Sequence, residues 1–208
     1  MQLVGGGIWA VQEPATIAAQ GAPAVSYAFK ASLIGPAHRF ELTDAGLSWH
    51  IGGRSGVWPY AEIAAIRLSY RPVSMQARRF RADLRLANGP RLIILSTSWQ
   101  TAALMAPQDK DYRAFIIGLH ARMAKADSSA ELRGGLGRNA YAAGMALLVL
   151  VAILMAGLLI RALATGEFAG ASFLVGFAAL FGWQVGGFVR RNRPLTYGFA
   201  QIPERLLP

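Results

Sequence analysis

The sequence predicts an α+β protein: short antiparallel strands forming a barrel or bent sheet, closed by one amphipathic helix and followed by a two-helix transmembrane hairpin. Three observations carry that expectation. Two apolar runs are free of charge, Ala140–Ile160 with twenty-one residues and Phe168–Val189 with twenty-two. Between His38 and Leu104 apolar and polar residues alternate with period two, the mark of half-buried strands. After Pro107 the period changes, and Tyr112, Phe115, Ile116, Leu119 and Met123 form one apolar stripe at helical spacing.

Residues 1–36 read as an N-terminal arm, poorly ordered or an edge strand. Pro14, Gly21, Pro23, Gly35 and Pro36 interrupt it, and Val25, Tyr27, Phe29, Ala31 and Leu33 alternate as an edge strand would. Met1–Gln12 contains no Lys or Arg and is broken by Gly5, Gly6 and Gly7, unlike a secretory signal. A domain over residues 37–127 then opens with Arg39–Thr43, a turn at Thr43–Gly46, and Leu47–Ile51. Gly52–Gly56 reads as a second turn leading to Val57–Tyr60, and Ile63–Tyr70 as a strand ended by Arg71-Pro72. In Arg79–Leu86 the residues Phe80, Ala82, Leu84 and Leu86 point one way and Arg79, Arg81, Asp83 and Arg85 the other. Asn88-Gly89 signals a hairpin, Arg91–Ser96 the returning strand, and Ser98–Leu104 a last strand. The helix that follows has Asp109 or Asp111 to cap it and Arg122 and Lys125 to meet its C-terminal dipole. Residues 128–139 are then a linker, 140–190 the hairpin (helices near 140–163 and 168–189), and 191–208 a basic tail.

At about 1.5 Å rise per residue, each apolar run makes a helix of roughly 30 Å, the hydrocarbon thickness of a bilayer. Arg133 and Arg138 precede the first run and Arg190, Arg191 and Arg193 follow the second, whereas only Arg161 and Glu167 lie between them. Basic residues accumulate on the cytoplasmic side, so both termini are expected there. Arg161 can snorkel to the outer interface. Ala178, Gly182 and Gly186 fall at four-residue spacing, which lets a helix approach closely. They pack either against Ala152 and Ala156 of the same hairpin or along a homodimer seam.

The pattern Phe40-x-Leu42-Thr43-x-x-Gly46-Leu47-x-Trp49, the Gly52–Gly56 turn, Trp58-Pro59-Tyr60-x-x-Ile63 and the helix carrying Tyr112, Phe115 and Leu119 resemble the bacterial pleckstrin-homology-like (PH-like) family over about residues 37–126. The resemblance implies a bent sheet capped by one helix, often tethered to transmembrane helices, and a binding or assembly module, not a catalyst. In many members with this pattern the helices precede the domain; here they follow it.

Charge narrows the partners. Lys+Arg total 21 against 11 for Asp+Glu, and the segment Arg67–Arg91 holds Arg67, Arg71, Arg78, Arg79, Arg81, Arg85 and Arg91 with Asp83 alone opposing them. Guanidinium binds phosphate and carboxylate bidentately, so Arg71, Arg78, Arg79, Arg81 and Arg85 are the candidate contact with anionic lipid or an acidic partner. The alternative is a solvated strand face that keeps a sheet edge soluble. Nucleic acid is not the expected partner, because a membrane tether puts lipid nearer.

Candidate chemistry is sparse. With no cysteine, thiolate metal sites, disulfides and cysteine nucleophiles are excluded. His38, His50 and His120 are not spaced as metal ligands, and Gly52-Gly53-Arg54-Ser55-Gly56 lacks the Gly-Lys-Ser/Thr ending of a phosphate loop. Ser96-Thr97-Ser98 has no nucleophile elbow around it, and Trp49, Trp58 and Trp99 read as core. No catalytic residue, metal or cofactor is expected. The expected function is a membrane-anchored, non-enzymatic binding or scaffold module at the cytoplasmic face of a bacterial inner membrane, contacting anionic lipid or a membrane protein partner. The alternative is a small structural subunit of a larger membrane complex, acting through its hairpin.

Overall fold

The protein is α+β. A computed structural model describes residues 25–71, 78–101 and 104–208. Four strands, β1 (Val25–Lys30), β2 (Ala37–Leu42), β3 (Leu47–Ile51) and β4 (Arg54–Trp58), form an antiparallel sheet in chain order. The alternating piece expected within the arm is thus an edge strand, with every residue of β1 registered against β2; residues 1–24 lie outside the described residues. The Gly52–Gly56 turn is shorter than expected. Gly52 and Gly53 alone make the loop, with φ of 57° and 78°, so Ile51 pairs directly with Arg54. Two successive positive φ values suit the right-handed twist of the flanking strands and favour glycine at both positions.

A second sheet takes β5 (Ile63–Tyr70), β6 (Phe80–Leu86) and β7 (Arg91–Leu95). The strand expected over Ser98–Leu104 is instead two three-residue strands, β8 (Thr97–Trp99) and β9 (Met105–Pro107), paired with each other. Gln100 N–H donates to Leu104 C=O at 2.9 Å, so the chain turns where a continuous strand was expected. α1 (Asp109–Lys125) has the expected stripe buried: Tyr112, Phe115, Ile116, Leu119 and Met123 are all fully enclosed. Neither expected aspartate caps it. Gln108 is the N-cap, without a side-chain bond, and Asp109 and Asp111 fall in the first turn, where their charge meets the positive end of the helix dipole.

The core lies between the sheets and α1. Tyr27 of β1 packs on Phe115 with ring centres 5.6 Å apart and donates its hydroxyl to Leu95 C=O at 2.6 Å, tying β1, β7 and α1 together. Tyr60 donates to Thr43 C=O at 2.8 Å, and Arg122 on α1 donates to Leu42 C=O. Trp58 is buried, whereas Trp49 is half-buried against Gly56 and Trp99 is half-buried at the margin. The sheets stay separate; no closed barrel forms among the described residues.

The largest departure concerns the segments expected to be linker and tail. Residues Glu131–Gly134 of that linker form β10, parallel to β5, and Leu195–Thr196 of the tail form β11, antiparallel to β10. The second sheet is therefore five-stranded, in the order β11-β10-β5-β6-β7. Beyond β11, Leu206 is 0% and Leu207 5% exposed, both in the core. Tyr197 stacks on His120 of α1, and Arg113 of α1 holds Glu204 at 2.7 Å and Pro208 C=O at 3.2 Å. The reason is apolar area: Leu132, Leu206 and Leu207 cover core that the first seven strands and α1 leave open.

Between β10 and β11 the chain makes α2 (Arg138–Ala164) and α3 (Phe168–Arg191), about 40 and 36 Å long. Both are long and apolar enough to cross a membrane, and the most apolar window of each has no buried residue. Gly166, at φ 78°, closes α2: Glu167 N–H donates to Ala162 C=O at 2.8 Å and Gly166 N–H to Leu163 C=O at 3.2 Å. The base of the hairpin is latched by Asn192, which is 0% exposed. Its Oδ1 accepts Tyr70 N–H at 3.2 Å, its Nδ2 donates to Phe188 C=O at 3.2 Å, and its own carbonyl accepts Leu136 N–H at 3.0 Å. Gly135, at φ 78°, lets β10 pass so close that a Cβ there would strike the backbone of Asn192 and Arg193.

Two outcomes follow for stability. Asn192→Ala should lose about 1–3 kcal/mol, because Tyr70 N–H is left buried and unpaired, and Leu206→Ala about 2–5 kcal/mol by cavity formation; thermal unfolding in detergent micelles measures both. The pH dependence has a definite sign. A carbonyl can only accept, so His120 Nδ1 donates to Ile116 C=O at 2.7 Å and Nε2 accepts from the Tyr197 hydroxyl at 3.1 Å. Burial holds the His120 pKa below its ordinary 6.5, and burial lowers that of His38 in the same direction. The unfolded chain then binds more protons in that range, so stability is full above pH 6.5 and falls as the pH drops toward the folded value. His120→Gln should flatten that decline in a series of melting curves.

Candidate functional site

Alternation along β5, β6, β7 and β10 sends one set of side chains into the core and the other onto a single outer face. Register then sets the rows. Thr196, Arg133, Arg67, Asp83 and Ile93 lie side by side across the sheet, with Ala65 beside Glu131, Arg85 and Arg91 in the next row. Five arginines on this face, Arg67, Arg81, Arg85, Arg91 and Arg133, oppose two carboxylates, Asp83 and Glu131.

The carboxylates are already engaged. Asp83, 8% exposed, accepts Arg81 Nε at 3.1 Å and Nη2 at 2.9 Å, and Arg91 Nε at 3.0 Å and Nη2 at 2.6 Å. Glu131 is held by Arg133, and that hydrogen bond, with Arg67 adding a smaller pull, keeps its carboxyl below the usual carboxylate range. Among the described residues Arg67, Arg85 and Arg138 have no carboxylate within 4.0 Å. A cleft of about 600 Å³ opens beside Arg67 and Arg138, lined also by Glu131, Arg133, Gly137, Asn139 and Thr196. A smaller basin of about 220 Å³ continues it across the sheet and shares Arg67, Glu131 and Arg133, with Arg85 and Arg91 on its far side.

The cleft also contains the start of α2. Gly137 is its N-cap, no side chain bonds the free N–H groups, and the first turn carries no acidic residue. Arg138 occupies the first position, and Arg67 Nη1 lies 3.2 Å from where a Cβ on Gly137 would stand. Helix N-termini favour anions, and a cation there is disfavoured by about 0.3–1 kcal/mol. Two guanidinium groups and the first turn of a helix with no side-chain cap among the described residues thus border the same space.

The arginines singled out from the sequence do not converge in this way. Arg71 and Arg78 are exposed at the ends of β5 and β6, flanking residues 72–77, which lie outside the described residues. Arg79 is half-buried, and burial together with Arg81 lowers its pKa. Arg81 is bound to Asp83, and Arg85 is exposed on the smaller basin. Arg71 and Arg79 do lie at the end of the sheet from which the long helices depart: Arg71 N–H donates to Arg79 C=O at 2.7 Å, and neighbouring Tyr70 carries the Arg191 guanidinium 4.9 Å above its ring. Of the arginines expected to set topology, Arg133 and Arg138 line the cleft, Arg191 sits on Tyr70, and Arg190 and Arg193 are exposed. Spacing alone missed the union of Arg67 with Arg133 and Arg138. The available signal was the alternation of Glu131, Leu132, Arg133 and Gly134, a strand pattern inside an apparent linker.

Ala178, Gly182 and Gly186 line an apolar groove of about 540 Å³ between α2 and α3, together with Ala152 and Ala156. A Cβ on Gly182 or Gly186 would meet nothing within 4 Å, so the helices do not close on this ladder. Ser96 is structural, accepting Phe80 N–H at 2.9 Å, and no group of three or more His, Asp or Glu residues placed to hold a metal occurs among the described residues. Comparison with protein families, curated proteins and solved structures returns no match to this chain.

Proposed function

We propose that the chain is a membrane-anchored, non-enzymatic binding module: a PH-like domain held at the cytoplasmic face of a bacterial inner membrane by the α2–α3 hairpin, with its basic face toward anionic lipid or a membrane protein partner. The observation that carries this reading is the insertion of two long, exposed apolar helices at the edge of an arginine-rich sheet. Four strands, then three, then the short β8–β9 pair and a capping helix also support a PH-like reading of the order β1 to α1. Orientation rests on Arg133, Arg138, Arg190, Arg191 and Arg193 at the domain end of the hairpin against Arg161 at the other. Next to anionic headgroups each well-placed basic residue contributes about 1 kcal/mol, within a Debye length.

Because the chain lacks cysteine, single cysteines report orientation without background. In intact spheroplasts an impermeant maleimide should label Ala164→Cys and reach Ser129→Cys only after permeabilisation. The reverse pattern would overturn the cytoplasmic assignment. Chain extracted in native lipid discs should carry anionic lipid enriched over the bulk membrane, and lipid in bulk proportion would overturn the lipid contact.

The open groove between α2 and α3 favours a second reading, a small structural subunit that receives a partner helix through its hairpin. Gly182→Leu and Gly186→Leu have room within the chain. Any loss of co-purifying partner or of self-association in these variants would therefore report on an external helix, and unchanged assembly would count against this reading.

A further inference from the structure

We infer that the cleft at the start of α2 is a phosphate site, and that its occupant is the headgroup phosphate of an anionic phospholipid. The inference rests on the membrane-anchored reading and names the ligand contact within it. Three independent features meet there. The first is unbalanced charge: Arg67, Arg133 and Arg138 line the cleft against one carboxylate, Glu131, which Arg133 holds, and Arg67 and Arg138 have no carboxylate within 4.0 Å among the described residues. The second is the uncapped N-terminus of a 27-residue helix, whose first N–H groups open into the same space. The third is room, about 600 Å³, enough for a headgroup.

Gly137 is what lets these features coincide. The Arg67 guanidinium stands 3.2 Å from where a Cβ at the N-cap would lie, so glycine leaves it in place and a side chain there would meet it directly. Helices are ordinarily capped here by Ser, Thr, Asp or Asn, which satisfy the free donors from within the chain. This one presents glycine and then arginine, so no side chain of the described residues occupies the place an anion would take. A phosphate oxygen can accept from Arg67 and from the backbone N–H groups of Arg138 and Asn139 together, and guanidinium favours it bidentately. The height is also right. Arg138 precedes the apolar run by less than one helical turn, about 5 Å, which is where headgroup phosphates lie when α2 spans a bilayer.

Full-length chain in phosphatidylcholine discs, titrated with phosphatidylglycerol and read by native mass spectrometry, tests the site. Arg67→Gln and Arg138→Gln should each weaken phosphatidylglycerol retention about tenfold, the loss of one charge-assisted hydrogen bond. Arg54→Gln, on the other sheet, removes the same charge and should leave retention unchanged. Gly137→Asp supplies an internal anion to Arg67 and a cap to α2, so it should abolish retention while the melting temperature holds or rises, which separates a filled site from a failed fold. If wild type prefers phosphatidylglycerol but the Arg67 and Arg138 variants match Arg54→Gln, the site is wrong and the module reading stands. If wild type retains both lipids equally, the anionic-lipid contact itself fails. If inorganic phosphate in phosphatidylcholine discs raises the melting temperature as much as phosphatidylglycerol does, the occupant is soluble and the lipid assignment is overturned.

Discussion

The Asn192 side chain is the constraint on which the arrangement of domain and hairpin depends. A buried amide must satisfy its donors and acceptor, and this one does so by joining two elements that sequence order keeps apart. Its side chain binds β5 through Tyr70 and the last turn of α3 through Phe188, and its backbone carbonyl accepts from Leu136 in the segment before α2. With Gly134 and Gly135 giving the tail its close path past β10, both feet of the hairpin are fixed to one sheet edge. The long helices are therefore an insertion into the domain. They do not hang from it on a flexible tether.

That fixation changes what the arginines can do. A charged strand face on a freely tumbling domain is solvated and adds little to affinity. Here the sheet carrying the charge is the one that carries the hairpin, and its strand β10, next to the edge strand β11, leads through three residues into α2. Asp83 then sorts the face: it takes Arg81 and Arg91, while Arg67 and Arg85 have no carboxylate within 4.0 Å among the described residues. The helix dipole at the α2 terminus has the same sign as the arginines that line the cleft.

Much of the fold was legible because its signals are local. Strands β2, β3, β5, β6 and β7 follow from period-two alternation, α1 from its apolar stripe, and both long helices from length and hydropathy. The turn at Gly52–Gly53 and the break at Gln100 were misjudged, because hydrogen bonds to neighbouring residues chose between alternatives the composition left equal. Of the cleft, only the arginine types were legible. Glu131–Gly134 looked like linker since four residues give too short a pattern, and a parallel strand finds its partner more than sixty positions away through α1.

The sequence by itself determined that two helices can span a bilayer, that the remaining chain folds as a small mostly-β domain with one helix, and that arginine dominates its charge. These follow from hydrophobicity, periodicity and count, each a property of neighbouring residues. Only the tertiary structure decided that residues 195–208 complete the domain core, that the small-residue ladder of α3 borders an open groove, and that Arg67, Arg133 and Arg138 share one cleft. Such outcomes depend on which buried polar groups and apolar surfaces find each other across the chain. Pairing at that distance is set by the packing of the whole, and no window of sequence contains it.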